Sequence, residues 1–415
     1  MKKLVTLLVI VFCFNLNAQT NVSGGIYTST TWSLTNSPYI VTDTVVVYPG
    51  AILTIEPGVV VKFNQNKQLT VRGGLHANGT INNQITFTSN SVSPTAGNWP
   101  GIFFNQALSF MSIINYCNIQ YANTGIRLYI DTLKIRNSKF SNNINGTAGS
   151  LGVSLIIDSC EFIYNTNGIG VSFYQDTRVR IYNSVISKNA IGINNSWYTT
   201  AVNCKLDSNT TYAIAEEDVD SLINCEINYN AIGIYDNSCN CFYKENRIEY
   251  NNIGIDMIST CSSYKCNKIC NNTSYNLKVE STQNKNMANN YWCSTNTAII
   301  ESKIYDGYDN SSLGIATISP IDTLQCYLLT GIPTFNLQNP TIQIYPNPAQ
   351  NNFTIETNTS DKQTISVFDV NGKLVLLQSI NATTNIDASN LSQGVYNVSV
   401  TSNEGLANKR LVIVK

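Results

Sequence analysis

The chain has 415 residues, of which 12% are charged and 43% hydrophobic, and its 25 basic and 26 acidic residues give a net charge of −1. This balance offers no basic surface for nucleic acid or an anionic membrane, and the low charged fraction is not typical of a coiled coil or a disordered chain. Loss of a leader containing Lys2 and Lys3 would leave 23 basic and 26 acidic residues, a net charge of −3.

A basic start followed by an apolar run opens the chain. Lys2 and Lys3 precede an apolar run of eleven residues from Leu4 to Phe14, and the stretch around Ala18 suits cleavage by a signal peptidase. The run is too short to span a bilayer. We therefore predict a signal peptide at residues 1–18, export through the Sec route, and no transmembrane segment in the mature chain.

Short β-branched runs alternate with Pro-Gly and Gly-Gly turns between residues 39 and 89. This pattern predicts strands, which would form the first coils of a longer array. Trp99 follows these runs and is expected in the core or a cap rather than on a ligand platform. The single histidine, His76, lies beside a glycine turn and is expected to have no catalytic role.

A phrase that returns about every 21 residues occupies residues 114–277, where the regular coils are predicted. Each copy ends in a glycine followed by an apolar residue, and the spacing is that of a solenoid. The glycines are Gly125, Gly146, Gly168, Gly192, Gly233 and Gly254, and Ala213 takes the place of one more.

Within each copy, small or thiol residues alternate with apolar ones, as in Cys117/Ile119 and Cys160/Phe162, so the elements are strands rather than helices. An asparagine stands three residues before most glycines, where we expect it to adopt left-handed backbone and to stack into an amide ladder. The predicted ladder comprises Asn143, Asn165, Asn189, Asn230 and Asn251. The glycine is expected to supply a further unusual dihedral angle.

With about three short strands per coil, the fold class predicted is all-β. The repeat resembles the right-handed parallel β-helix of pectate-lyase-like proteins, and the phrases from Leu53 to Phe63 and from Asn98 to Phe103 resemble the opening coils of exported bacterial members. The resemblance implies the handedness.

The far end of the passenger, residues 19–326, has its own signature. Asn289-Asn-Tyr-Trp-Cys293 resembles the "NNYWG" phrase that closes such helices, and it predicts a C-terminal cap at about residues 285–326. Asp306 and Asp309 there could be calcium ligands, although a polar turn is the simpler interpretation.

Residues 327–341 contain Pro333 and Pro340 and no charge, and are predicted to be a linker. Residues 342–415 then read as alternating strands joined by Asn-Gly and Gln-Gly turns, which predicts a small immunoglobulin-like β-sandwich. They resemble the C-terminal sorting domain of type IX secretion substrates. That resemblance implies the type IX machinery as partner, transport across the outer membrane, and a passenger that is either anchored or released.

Twelve cysteines are present, of which Cys13 belongs to the leader. Cys117, Cys160, Cys204 and Cys225 occupy one inward position of the repeat and are expected to be buried thiols. The rest crowd the last coils, where disulfides are favoured over a zinc cluster because the compartment is oxidising. Cys239 and Cys261 are 22 residues apart, one coil, and are the predicted pair.

Two candidate sites follow the glycine position of the repeat. Glu216 and Asp236 would lie one above the other, and carboxylates ~5 Å apart suit a retaining glycosidase. The alternative is a solvated acidic turn, which also contains Glu217 and Asp218. Tyr174, Trp197 and Tyr198 would stack on adjacent coils, with one ring of each pair in the core and the other available to sugar rings.

We therefore predict an exported protein at the cell surface or outside it that binds glycans or serves an adhesive, structural role. Its candidate ligand is an extracellular polysaccharide bound through Tyr174, Trp197, Tyr198, Glu217 and Asp218, with no cofactor and no metal unless calcium binds. The alternative is a polysaccharide-degrading lyase or glycoside hydrolase of the same fold, since fold alone does not decide function.

Overall fold

The structure is a computed structural model that describes residues 19–105, 112–129, 132–150, 152–171, 178–195, 198–216, 219–237, 241–259, 261–323, 342–357, 362–369, 374–381, 383–402 and 405–415. The chain divides into two compact units, residues 1–329 and 330–415. Within the described ranges, no helix has the length and apolar character needed to cross a membrane.

The first coils consist of strands that pair in parallel. A single 3-10 turn, Leu34–Asn36, interrupts them. Their bounds are β1 (Thr20–Ile26), β2 (Thr30–Trp32), β3 (Tyr39–Val47), β4 (Ile52–Ile55), β5 (Val60–Phe63), β6 (Leu69–Val71), β7 (Gly74–Asn78), β8 (Ile85–Ser89) and β9 (Ile102–Asn105).

The regular coils contribute three strands each. The strands are β10 (Ile113–Asn115), β11 (Cys117–Gln120), β12 (Thr124–Tyr129), β13 (Thr132–Arg136), β14 (Lys139–Ser141), β15 (Asn145–Ser150), β16 (Ser154–Asp158), β17 (Glu161–Ile163), β18 (Asn167–Val171), β19 (Arg178–Tyr182), β20 (Val185–Ser187), β21 (Ile191–Asn195), β22 (Thr199–Val202), β23 (Lys205–Asp207), β24 (Tyr212–Glu216), β25 (Val219–Ile223), β26 (Glu226–Asn228), β27 (Ile232–Asp236), β28 (Phe242–Lys244), β29 (Arg247–Glu249), β30 (Ile253–Met257), β31 (Ser263–Lys265), β32 (Lys268–Cys270) and β33 (Tyr275–Val279).

Each strand pairs in parallel with the strand three places later in the chain, so the coils build three ladders. The first runs from β10 to β31, the second from β11 to β32, and the third from β12 to β33. The first ladder, with β2, β4 and β7, forms an 11-stranded sheet. This confirms the predicted all-β parallel solenoid, in which each coil satisfies the backbone of its neighbours.

The core lies inside the coils and is built from the inward-facing residues of the strands. In the second ladder, Phe140 and Phe162 stack with ring centroids 4.6 Å apart. Trp99 is fully buried, as expected, and stacks on Phe63 at 4.0 Å. The inward column of the second ladder is Ile119, Phe140, Phe162, Ile186, Leu206, Ile227, Ile248 and Ile269.

An amide ladder runs beside this column. The backbone N–H and the Nδ2–H of Asn143 both donate to Oδ1 of Asn165, each at 3.0 Å. The same pair of bonds repeats from coil to coil. The stacked side chains are Asn143, Asn165, Asn189, Asn209, Asn230, Asn251 and Asn272. Asn209 and Asn272 are additions to the predicted set.

The left-handed residue of this turn is not the ladder asparagine but the residue before it. Tyr229, before Asn230, has φ 58°, and Tyr250, before Asn251, has φ 58°. The expectation that the asparagine itself is left-handed is therefore wrong. Its amide instead makes the hydrogen bonds of the ladder, which require a buried donor and acceptor rather than an unusual dihedral angle.

The repeat glycines are required by close approach rather than by φ. A Cβ added at Gly168 would lie 2.5 Å from the carbonyl oxygen of Gly192, and one at Gly233 would lie 2.5 Å from that of Gly254. Neither glycine has positive φ. Stacked backbones thus leave little space for a side chain, and Ala213 shows that one coil accommodates a methyl group.

The cap contains β34 (Lys285–Asn286), the short helix α1 (Thr297–Glu301), β35 (Ile304–Tyr305) and β36 (Ala316–Thr317). β35 pairs with β33 and continues the third ladder, while β34 pairs with β36. The oxygens of Asp306 accept from the backbone N–H groups of Tyr308 (2.9 Å) and Ala316 (2.7 Å), which is the geometry of a hydrogen-bonded polar turn.

The second unit has two antiparallel sheets. Their strands are β37 (Ile342–Tyr345), β38 (Asn352–Thr357), β39 (Lys362–Phe368), β40 (Leu374–Asn381), β41 (Thr384–Asp387), β42 (Gly394–Ser402) and β43 (Gly405–Ile413). One sheet has the order β37-β38-β41 and the other β40-β39-β42-β43. Phe353, Val398 and Leu411 are buried in its own core, as the alternating pattern predicts.

Candidate functional site

The turn between the second and third ladders, here called the second corner, carries one left-handed residue per coil. These residues are Tyr121, Asn142, Tyr164, Lys188, Ser208, Tyr229, Tyr250 and Asn271, with φ between 56° and 61°. Four of the eight are tyrosines. We call Tyr121, Tyr164, Tyr229 and Tyr250 the tyrosine row.

Three of the four rings of the row project into solvent, and Tyr121 is partly buried. Tyr164, Tyr229 and Tyr250 are 53%, 61% and 47% exposed. Tyr229 and Tyr250 are nearly parallel, with ring centroids 5.4 Å apart. The ammonium of Lys188 lies 5.4 Å from the ring centroid of Tyr164 and donates to its hydroxyl at 3.3 Å.

The turn between the first and second ladders, the first corner, has the same backbone conformation and a different composition. Its left-handed residues are Tyr116, Asn137, Ser159, Asn183, Asn203, Asn224, Glu245, Cys266 and Asn289. Five of these nine are asparagines, the residue type that tolerates this conformation best after glycine. Their amides also bond one another, as from Nδ2 of Asn224 to Oδ1 of Asn203 at 2.8 Å.

The outward face of the second ladder lies next to the row and is charged but paired. Lys139 contacts Glu161 at 3.0 Å and Lys268 contacts Glu249 at 2.8 Å. Arg247 contacts Glu249 at 3.1 Å. These charges therefore neutralise each other beside the tyrosines.

The outward face of the third ladder has small and amide residues in its middle coils. Ala148, Gly170, Asn194 and Ala215 occupy consecutive positions in register. The column continues through Tyr235 and Asp256 to Lys278. This face is therefore flat in the middle coils, with Arg127 in the coil before them and charged groups again towards the cap.

Asp256, in this column, is a buried carboxyl group with a raised pKa. It is 7% exposed, and its Oδ1 is buried without a hydrogen-bond partner, with the ammonium of Lys278 at 3.9 Å. Burial raises the pKa of Asp256, Lys278 opposes that effect, and Glu280 adds to it. Lys278 in turn bonds Glu280.

The predicted acidic pair is in register but is not an exposed pair. Glu216 is opposite Asp236 in the third ladder, while the side chain of Glu216 lies outside the described residues. Asp236 is fully buried and accepts hydrogen bonds from Ser262 Oγ (3.0 Å) and Tyr264 OH (2.7 Å). The alternation that turns Ile234 inward also turns Asp236 inward, so its carboxylate lies in the core and not on an accessible face.

Asp236 belongs to a polar cluster inside the last coils. Lys285 is buried, donates to the carbonyl oxygen of Ser262, and lies 5.6 Å from the ring centroid of Tyr264. Burial lowers the pKa of Lys285, and the nearby carboxylate of Asp236 opposes that effect. The cluster joins the cap to the preceding coils and is closed to solvent.

The remaining predicted binding residues lie mostly outside the described residues. Those are Tyr174, Trp197, Glu217 and Asp218. Tyr198 is described and is 46% exposed, so it is available to a ligand. His76 lies in β7 on the first ladder.

The cysteines follow two patterns. Cys117, Cys160, Cys204 and Cys225 are buried free thiols, and Cys241 is buried as well. Cys270 and Cys293 form a disulfide between β32 and the cap. Cys261 and Cys266 each take part in a disulfide as well. Cys239 lies outside the described residues, so its pairing with Cys261 stays a prediction.

The sulfurs of Cys270 and Cys293 lie near the carboxylate of Glu249, the one candidate metal-binding group among the described side chains. Because the two sulfurs are bonded to each other, they cannot act as thiolate ligands. Glu249 is instead satisfied by Arg247 and Lys268. The group therefore has a structural role.

Two family models match the chain. A pectate-lyase-like β-helix domain matches residues 24–109, and a secretion system C-terminal sorting domain matches residues 343–414. The chain thus has a right-handed β-helix passenger and a sorting domain. The sorting domain indicates handling by type IX secretion and placement at the cell surface or outside the cell.

Solved structures match the chain at low similarity. The A-module of the Azotobacter vinelandii mannuronan C-5 epimerase AlgE4 is 13% identical, with 72% of this chain and 90% of that chain covered and a TM-score of 0.44. A mutant of the periplasmic alginate epimerase AlgG is 12% identical, with 68% and 76% covered and a TM-score of 0.36. Similarity at this level supports no functional conclusion. Among curated proteins, none matches the chain significantly.

Proposed function

Because the chain joins an exported β-helix to a type IX sorting domain, we propose that it is an extracellular glycan-binding protein. It binds polysaccharide along the tyrosine row and acts in adhesion at the cell surface or in its surroundings. The single observation that carries this proposal is the placement of exposed tyrosines in left-handed backbone.

That placement has an energetic cost. A left-handed conformation costs a non-glycine residue about 1–2 kcal/mol, and asparagine tolerates it better than tyrosine. Asn142 and Asn271 occupy the same position of the same corner, so the backbone does not require tyrosine there. The stacking of Tyr229 on Tyr250 offsets part of the cost, about 0.5–1.5 kcal/mol. Exposed rings retained against this cost are best explained by a ligand.

The geometry of the row suits a chain of sugars. Successive coils rise by ~4.8 Å, so the row spans ~29 Å from Tyr121 to Tyr250, which are six coils apart. A glycan laid parallel to the helix axis would meet a ring or a polar side chain at each coil. The charges beside the row are paired, and Lys188 is the single cation among the residues of the second corner, which favours a largely neutral polysaccharide.

The alternative function is a polysaccharide-degrading lyase or glycoside hydrolase, and Asp256 is the observation that favours it. A buried carboxyl with a raised pKa suits a general acid. It would need a second catalytic group in reach, and Asp236, an acid of the predicted pair, is held in the core by two hydroxyl groups. Binding is therefore the better-supported function.

The experiment is a binding and turnover screen of the exported protein. Soluble mannan, laminarin and xyloglucan represent neutral polymers, and alginate and pectin represent acidic ones. We expect retention of at least one neutral polymer without new reducing ends or unsaturated products. Turnover abolished by Asp256→Asn would establish the enzyme instead. If the protein showed no binding and no turnover, both functions would be refuted.

A further inference from the structure

A small cavity lies at the edge of the first coils, outside the features described so far. Its volume is about 310 Å³, and it is lined by Asn64, Gln65, Ser89, Asn90, Ser91 and Asn98. All six lining residues are amides or hydroxyls. The volume is at the lower end of the range for small-ligand pockets.

We call this cavity the amide pocket. Buried side chains of the core anchor its walls. Asn64 follows Phe63 and Asn98 precedes Trp99, and these two rings stack in the core at 4.0 Å. Oδ1 of Asn98 accepts from the backbone N–H of Thr95 at 2.8 Å. The backbone of the pocket is therefore anchored by these buried rings and by bonds to its own side chains, as from the backbone N–H of Ser91 to Oγ of Ser89 at 3.0 Å, so the pocket is preformed.

Several polar groups in the pocket remain available. Nδ2 of Asn90 donates to Oδ1 of Asn64 at 2.9 Å, which leaves the Asn64 Nδ2 as a donor and the Asn90 Oδ1 as an acceptor. Gln65 is exposed and adds a further amide. Donors and acceptors side by side match sugar hydroxyls, which both donate and accept.

From this geometry we propose that the amide pocket binds one uncharged sugar residue. The lining carries no positive charge to balance a carboxylate, so a neutral sugar is favoured over a uronic acid. The ligand is an aldohexose or its glycoside, and its hydroxyls bond Asn64, Asn90 and Gln65.

The pocket is continuous with the second corner. The backbone N–H of Asn98 donates to the carbonyl oxygen of Tyr121 at 3.1 Å, and the carbonyl oxygen of Asn98 accepts from Asn66 at 3.4 Å. Tyr121 begins the tyrosine row. The pocket thus receives the end of a glycan that lies along the row, a role that rests on the proposed function, whereas binding of a single sugar does not.

The test uses the full exported chain and single sugars, which are too short to span the row. Methyl glucoside, methyl galactoside, methyl mannoside and glucuronate are titrated by ligand-observed NMR. At least one neutral glycoside is expected to bind with millimolar affinity and glucuronate at least tenfold more weakly. Absence of neutral binding, or equal binding of glucuronate, would overturn the proposal.

Variants assign the binding to this pocket. The double variant Asn64→Ala/Asn90→Ala is expected to lose at least tenfold in affinity, and the exposed Gln65→Ala, which disturbs no recorded hydrogen bond, at least threefold. Asn82→Ala, an exposed asparagine outside the pocket, is the matched control and should bind like the wild type. If Gln65→Ala and the double variant were both folded and both bound the sugar with wild-type affinity, the site would be refuted.

The tyrosine row is tested separately. Tyr229→Asn/Tyr250→Asn should leave binding of the single sugars unchanged, since those rings lie several coils away. If single sugars bind while the row variant retains all polysaccharide affinity, the pocket stands and the proposed role of the row fails. If polysaccharide binding depends on the row and no single sugar binds, the reverse holds.

Discussion

Asn230 and Asn251, on adjacent coils, are joined through a single oxygen. The backbone N–H and the Nδ2–H of Asn230 both donate to Oδ1 of Asn251, each at 2.9 Å. Oδ1 of Asn230 accepts the equivalent two bonds from Asn209, at 2.8 and 3.0 Å. Each ladder amide is therefore satisfied by its neighbours. Replacing one of them removes the acceptor of two donors on the preceding coil.

Asn230→Val should lower the thermal stability clearly. The substitution removes the acceptor for two buried donors of Asn209, and each unsatisfied buried donor costs about 1–3 kcal/mol. The midpoint of thermal unfolding measures the effect. Asn252→Val, at an exposed asparagine of the next coil, is the control and should change little. Equal melting curves for Asn230→Val and the wild type would contradict the structural role of the ladder.

Asp256→Asn should stabilise the protein at neutral pH. Burial raises the pKa of Asp256, so its folded state binds the proton more tightly than its unfolded state. The stability from this group is complete below the unfolded pKa of about 3.9 and is lost as the pH rises through the folded pKa. The gain from Asp256→Asn should therefore be present at pH 7 and disappear near pH 3.

Asp43 is a comparison, because its pKa is shifted in the opposite direction to that of Asp256. A hydrogen bond from Lys67 lowers the pKa of Asp43, so its contribution is present above the unfolded pKa and is lost as the pH falls through the folded one. Unfolding midpoints of Asp256→Asn and Asp43→Asn between pH 3 and pH 8 provide the measurement. A gain from Asp256→Asn that did not vary with pH would contradict the assignment.

The buried thiols should resist alkylation in the folded protein. Burial raises the pKa of Cys117 and of Cys160 to about 12, and that of Cys225 is raised as well. Because the thiolate is the nucleophile, iodoacetamide at pH 8 should label these residues only after denaturation. Peptide mass spectrometry reads the outcome, and rapid labelling of the native protein would place these thiols at the surface.

Deleting residues 331–415 should stop export. The sorting domain has its own hydrophobic core, so its removal is expected to leave the β-helix folded but retained inside the outer membrane. Cell fractionation in a bacterium with a type IX system, compared with the full chain, measures this. A truncated protein on the surface would contradict the role of the sorting domain.

The repeat made most of the fold predictable, because a period of about 21 residues with alternating apolar positions specifies stacked strands. It did not reveal why the glycines are there. Gly168 was expected to supply an unusual dihedral angle, whereas it faces the carbonyl oxygen of Gly192 across the coils. Such inter-coil distances depend on stacking and do not appear in a sequence pattern.

The candidate site was less predictable. Tyrosine precedes the ladder asparagine at Tyr164, Tyr229 and Tyr250, so the signal was present, but sequence alone did not show which of the two neighbours is left-handed. Asp236 could have been assigned to the core from the alternation of its strand. The amide pocket could not have been found, because Asn64, Asn90 and Asn98 meet only when three segments stack.

The measurement that tests the central claim most directly is the affinity of Tyr229→Asn/Tyr250→Asn for the neutral polysaccharide that the wild type binds best. At about 1 kcal/mol for each ring, the double variant should lose roughly 30-fold in affinity, while its melting midpoint stays close to that of the wild type because asparagine suits left-handed backbone. An unchanged affinity in the folded double variant would show that the tyrosine row does not bind the glycan.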